Sequence, residues 1–556
     1  MVSYRIVCVC FLLLLQNAVF GQINRYMVFF NDKAGTPFTI ENPSEFLSQR
    51  SIDRRAKHQF NITEQDLPVN PSSVSAISTA GADVYFTSRW MNAALVTMNT
   101  SLVATIEGLS IVNRVEYIGP GEVLSRTEIP VTVPDVFLDP PAVHATSEVQ
   151  NSMIGADQLR GWGAVGTDIL VAVFDGGFEG VNEHSPFEHL FSQNKIIAEL
   201  DFVRNSGNPY QYSNHGTRVL SCIAGYYPPD FTGTAPDVEV IIAVTEEVET
   251  PSGQDSEYRV EEYNWLLAAE FADSAGVDII NSSLSYYSFI DESMDYDYAE
   301  MDGQTTVIAQ AANLAFERGI LIVSSQGNSG GDGDSESTFE SCNAVKEWCY
   351  MGSPADSPNV LAVGAVYDNE TRVYFSSFGP TSDGRTKPDV AAMGWSTSSV
   401  QGNGFISGSF GTSFSAPLIS GYAASLMQAY PELTNAELMA LLRDSGSQTD
   451  NPDNELGYGI PRFLHISNEL GTPYLLQSDN PEPIKAFPNP FESNIYFENL
   501  VNENSYRVIN IKGQTIGMGV ISPYQNTISI DSSLPAGVYF LQISGYINET
   551  IKLLKK

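Results

Sequence analysis

The sequence predicts an α/β domain built on a parallel sheet flanked by helices, with a small ferredoxin-like α+β unit before it and a β-sandwich after it. Three observations carry this. From about 150 to 468, the apolar runs "DILVAVFDGG", "VEVIIAVT", "VDIINSSLS", "GILIVSSQGN" and "NVLAVGAV" recur with helical segments between some of them, the pattern of a parallel sheet covered on both faces. Residues 23–117 follow the order β-α-(α)-β-β-α-β, which is that of a ferredoxin-like unit. Residues 484–556 carry strand patterns only, with Gly, Asn and Pro in the turns, which suits a small sandwich. A chain of 556 residues has room for this many units.

The first stretch, "MVSYRIVCVCFLLLLQNAVFGQ", has Arg5 ahead of an apolar run from Ile6 to Leu15. The run is short for a bilayer and small residues follow it, so 1–21 reads as a signal peptide rather than an anchor. In the α+β unit, "YMVFF" is a strand and 43–59 an amphipathic helix with Ser44 near its start. "ADVYFTS" and "MNAALVTM" form paired strands, "SLVATIEGL" a short helix and "IVNRVEYI" a last strand. Residues 118–148, with several Pro and no period, form a linker. The α/β domain takes 149–468 and a second linker 469–483. In the tail, "NIYFENL", "YRVINI", "NTISID", "GVYFLQI" and "ETIKLL" are the strands.

The formal net charge is −38, from 66 acidic and 28 basic residues. Such a surface repels nucleic acid and anionic lipid, so neither is expected as a partner. Cys342 and Cys349 bracket "NAVKEW". In an oxidising compartment they are expected to form a disulfide, a metal pair being the weaker reading for want of a neighbouring His or second Cys pair. Cys222, on an apolar helix pattern, is expected to be a buried free thiol. The acidic runs 332–337 and 291–302 lack the spacing of an EF-hand and read as solvated loops.

Chemistry is expected where parallel strands end. Asp175 closes a buried strand in "VAVFDGGF", His215 opens a helical pattern in "NHGTRVLSCIAG", and Asn328 follows a strand in "LIVSSQGNSG". Ser413 lies in "SGSFGTSFSAPLISG", where Gly408 and Gly411 precede it and Pro417 follows. Proline favours a first helical turn, so a helix should begin near Ser413 with free N–H groups at its start. Carboxylate, imidazole, hydroxyl and side-chain amide are the parts needed for acyl transfer through a serine. Taken singly, each is also an ordinary turn or cap residue.

The four blocks "VAVFDGGF", "HGTRVLSCIAG", "GNSG" and "GTSFSAP" resemble the signatures of the subtilisin-like serine peptidases, in the order Asp, His, Ser. "FSSFGPTSDGRTKPDVAAMG" resembles the run before the family's nucleophile. The resemblance covers about 150–468. It implies a subtilisin-like fold and a serine endopeptidase in which Ser413 is nucleophile, His215 the base and Asp175 its orienting carboxylate. Asn328 and the Ser413 N–H would bind the oxyanion. Ser283, Leu284, Ser285, Ser325 and Gly327 would line the cleft for a protein or peptide substrate. It implies no required cofactor and leaves a structural calcium open, with no ligands assigned. Two positions depart from the family: Gly176 offers Asp175 no hydroxyl, and Ser285 stands where relatives often have Gly.

The flanks carry resemblances of their own. Residues 22–117 resemble the inhibitory prodomain of secreted subtilases, which implies a zymogen cut within 118–148; the other reading is a permanent accessory domain. The tail, with Pro488-Asn489-Pro490, "LPAGVY" and a basic end at Lys552, Lys555 and Lys556, resembles a type IX secretion sorting domain. That implies the secretion machinery as a partner and a place outside, or on the surface of, a Gram-negative bacterium; the alternative is a binding sandwich. The rival to a protease is a surface-binding protein with an inactive core, and a third reading is peptide ligation at the same site.

Overall fold

A computed structural model of the chain describes residues 22–121, 131–134, 136–247, 257–331, 338, 340, 342, 348–470, 484–498, 500, 504–521, 526–531, 533–545 and 549–556. The signal peptide, the acidic run 332–337 and most of the second linker lie outside the described residues.

Residues 23–120 form a four-stranded antiparallel sheet in the order Asp83–Ser88, Ala93–Asn99, Ile23–Phe30, Val112–Pro120. This is the ferredoxin-like order, with Gln49–Lys57, Pro71–Thr79 and Val103–Glu107 as its helices. The helix expected over 43–59 is two pieces. Pro43–Glu45 is a 3₁₀ turn, and Phe46 at φ −141° interrupts the helical path. The α-helix starts at Gln49 because the Ser48 side chain, not Ser44, accepts the free Ser51 N–H.

The central sheet has seven parallel strands, in the order 390–393, 360–366, 321–325, 279–282, 170–175, 239–244, 196–201. Alternation of side chains splits each strand between two layers. Val171 and Val173 face a core with the helices His215–Ala224 and Thr412–Ala429. Leu170, Ala172 and Phe174 face the helices Val260–Ala275 and Val307–Phe316. The second core also takes Met27, Phe29, Trp90 and Leu95, so the N-terminal sheet packs on that helical layer.

Polar contacts complete this junction. Arg54, Arg55 and Arg89 converge on Asp273, in the last turn of the helix Val260–Ala275, with Arg54 to Oδ1 at 2.5 Å and Arg55 to Oδ2 at 2.6 Å. Arg318 reaches back to Asp66 at 2.8 Å. Glu270 accepts the Arg89 and Trp90 N–H groups and the Ser88 hydroxyl.

Beyond the N-terminal unit, residues 131–134 and 136–147 run along the α/β domain. Leu138 exchanges backbone hydrogen bonds with Glu183 and Ser185, and Ile406 bonds both Ala142 and His144. The C-terminal unit has a three-stranded and a four-stranded sheet around one apolar core. Its strands Lys485–Phe487 and Thr515–Ile521 add to the five expected from the sequence.

Candidate active site

Asp175 is the last residue of its strand and fully buried. Its carboxylate receives Nδ1 of His215 at 2.9 Å to both oxygens. The Gly176 N–H donates to Oδ1 at 2.8 Å, so backbone supplies the support that a side-chain hydroxyl at 176 would otherwise give. Gly216 lets the helix start close in: a Cβ there would fall 2.9 Å from Cβ of Asp175 and 2.5 Å from the Gly177 carbonyl. The His215 ring is about one quarter exposed and faces a cavity of about 460 Å³.

Ser413 is the second residue of the helix Thr412–Ala429. Pro417 lies further in than a first turn, and this has a use. Having no N–H, it cannot bond the Ser413 carbonyl four residues back. That carbonyl instead accepts the Ser283 hydroxyl at 2.9 Å, while the Ser413 hydroxyl donates to the Ser283 carbonyl at 3.4 Å. No hydrogen bond joins Ser413 to the His215 ring, a contact that commonly tightens only once substrate is bound.

Asn328 is set by the same helix start. Its Oδ1 accepts the Thr412 N–H and hydroxyl, each at 3.0 Å, which leaves Nδ2 as a free donor. A Cβ built on Gly411, at φ +139°, would fall 3.6 Å from Asn328 Nδ2 and 3.7 Å from the Ser413 N. The two nitrogens therefore stand within 4 Å of one point beside the nucleophile that the glycine leaves free of a side chain.

Asp175, His215, Asn328 and Ser413 line this single cavity with Ser283, Leu284, Ser285, Ser325 and Gly327. Ser283 turns its hydroxyl to the nucleophile's helix rather than to the open space. The Ser285 oxygen sits where Gly352 leaves room, 2.3 Å from a Cβ built there. Arg218, Glu246, Tyr287, Ser213 and Ser329 also line the cavity and were not singled out from the sequence. Glu246, two residues beyond the strand Glu239–Val244, could have been found by the strand-end rule.

Residues 166–459, more than half of the chain, match the Subtilase family. The chain belongs to this family. Residues 25–130 match the Peptidase S8 propeptide domain of Bacteroidota and 485–556 a secretion system C-terminal sorting domain. This subtilase is therefore a secreted or cell-surface protein of a Gram-negative bacterium.

It is 29% identical to subtilisin amylosacchariticus of Bacillus subtilis subsp. amylosacchariticus over 54% of this chain and 66% of that one. It is also 29% identical to the subtilisin of Bacillus pumilus, over 53% of this chain and 90% of that one. The serine protease AprX of Bacillus subtilis (strain 168) is 27% identical over 57% and 68%. The chain thus spans just under two thirds of the length of the first of these relatives.

Cys342 and Cys349 form a disulfide. Cys222 is buried, and burial pushes its thiol up to about 12. Among the described residues, no group of three or more His, Cys, Asp or Glu is placed to hold a metal ion.

Proposed function

We propose that this subtilase is a serine endopeptidase made as a zymogen. The observation that carries the reading is the meeting of the Asp175–His215 pair, the Ser413 hydroxyl and two oxyanion donors around one cavity. Ser413 Oγ attacks the scissile carbonyl carbon as His215 takes its proton. The tetrahedral oxyanion is held by Asn328 Nδ2 and the Ser413 N–H. Collapse breaks the C–N bond, and His215 returns the proton to the leaving amine. Water, activated by the same imidazole, then releases the acyl group. Asp175 holds the ring's tautomer and balances its positive charge. The chemistry needs no cofactor.

In this reading the N-terminal unit, 22–117, inhibits its own catalytic domain, 149–468, until the chain is cut within 118–148. The tail, 484–556, engages the secretion machinery, and the substrate is a protein or peptide. Support comes from the buried junction at Asp273 and from the propeptide and sorting-domain matches. The test is labelling with a fluorophosphonate after the N-terminal unit is removed. Wild type should label and Ser413→Ala should not. No labelling of the matured wild type would favour an inert binding protein.

A further inference from the structure

One acidic residue of the cavity wall has no role in this chemistry. Glu246 lines the same cavity as Asp175, His215 and Ser413. It has no ion pair and no hydrogen bond within the described residues. Behind it, Glu261 is 1% exposed. Its Oε1 accepts the Glu247 N–H at 3.0 Å, but its Oε2 is buried without a partner. The charges that act on Glu246 come from Glu257, Asp175 and Glu261, all negative. Burial, then Glu257 and Asp175, push its carboxyl up to about 8.

Two of the nearby cations are committed elsewhere. Arg204 pairs with Glu247 at 3.1 Å. Arg259 donates to the Met294 carbonyl and lies over the Tyr296 ring. Arg218 also lines the cavity and makes no ion pair among the described residues; its guanidinium lies over Phe414 at 5.2 Å, its Nε is buried without a partner, and the carboxylate whose charge acts on it is Asp175, not Glu246. A half-buried carboxyl with carboxyls around it and no cation of its own is costly when ionised and uncompensated. It becomes favourable when a ligand brings the missing positive charge into the desolvated site.

We propose that Glu246, backed by Glu261, selects substrates by taking a Lys or Arg side chain carried beside the scissile bond. This rests on the peptidase reading above. The basic side chain lies along the cavity wall, its stem against the apolar lining and its charge on the Glu246 carboxylate. Specificity then comes from the chain's own acidic wall and not from the catalytic groups, and it sharpens as pH rises and Glu246 ionises without help.

The matured protein is given pairs of peptides that differ only by Arg against citrulline, the neutral isostere, next to the cut. The expected kcat/KM ratio is about tenfold or more in favour of Arg at pH 8.5. It should be smaller at pH 6.5. Glu246→Gln should bring the ratio close to one, and Glu246→Lys should transfer the preference to a Glu-bearing peptide. A ratio near one in the wild type, or a ratio that Glu246→Gln leaves intact, overturns the proposal. Fluorophosphonate labelling run beside these assays separates the two ideas. A wild type that labels but shows no ratio loses the acidic subsite alone, and one that neither labels nor cleaves loses the peptidase reading with it.

Discussion

Asp273→Asn is expected to loosen the N-terminal unit from the α/β domain. Asp273 is fully buried and takes three guanidiniums, from Arg54, Arg55 and Arg89, all belonging to the N-terminal unit. It stands in the last turn of its helix, where the helix dipole also favours cations. Burial lowers Arg54 only to about 10, so it stays charged at neutral pH. Removing one partner of a buried ion pair costs about 3–5 kcal/mol. Asparagine keeps one oxygen, and each arginine keeps another acceptor: Val277 O for Arg54, Asp66 for Arg55 and Glu270 O for Arg89. The lower end, about 3 kcal/mol, therefore applies, equivalent to roughly a hundredfold. The assay uses a Ser413→Ala chain with an inserted cleavage site within 122–130. After cutting, exchange of the retained N-terminal piece against a labelled copy reports its affinity. Retention within about threefold of the parent would refute the assignment of this cluster as the main polar tie.

Three further outcomes are expected. Asn328→Ala should lower kcat by about 10²–10³ with little change in KM, the loss the handling of an oxyanion by one side-chain amide predicts and one known for subtilisin itself; steady-state kinetics on one peptide checks it. Pro417→Ala should add an N–H that competes with Ser283 for the Ser413 carbonyl, raising Tm by about 2 °C while lowering kcat, so calorimetry and kinetics should move in opposite senses. His58 bonds Asn435 across the junction, and burial, with Lys57 and Arg54 nearby, lowers it to about 4. The undocked ring takes a proton below about 6.5 and the docked ring does not, so docking is intact above that pH. It should weaken by up to about 3 kcal/mol as pH falls towards 4, and His58→Gln should flatten that slope in the exchange assay.

Much of the fold was legible because buried strands leave long apolar runs. The five runs quoted from the α/β region are all strands of the sheet. The two strands not expected there explain themselves. Ile196–Asp201 is an edge strand with a half-exposed pattern, and Val390–Met393 is a four-residue run closed in by Pro388 and Gly394, which read as loop. The candidate catalytic residues were legible because each stands at a strand end or helix start with its own local motif. The Asp273 cluster was not, since it joins residues more than 180 positions apart and each arginine looks like a solvated helix or loop charge. The use of Pro417 was hidden for a related reason: the partner of the carbonyl it frees, Ser283, lies 130 residues away.

The run 131–147 also bears on life after maturation. Because Leu138, Ala142 and His144 are bonded to the body of the domain, a cut anywhere in 122–130 would leave hydrogen-bonded chain from Leu138 onward behind the new amino terminus. Its neighbour Ile406 belongs to the hairpin that leads into Gly411 and Ser413. In a medium crowded with exopeptidases, trimming of the mature subtilase from that end would run into hydrogen-bonded chain at Leu138.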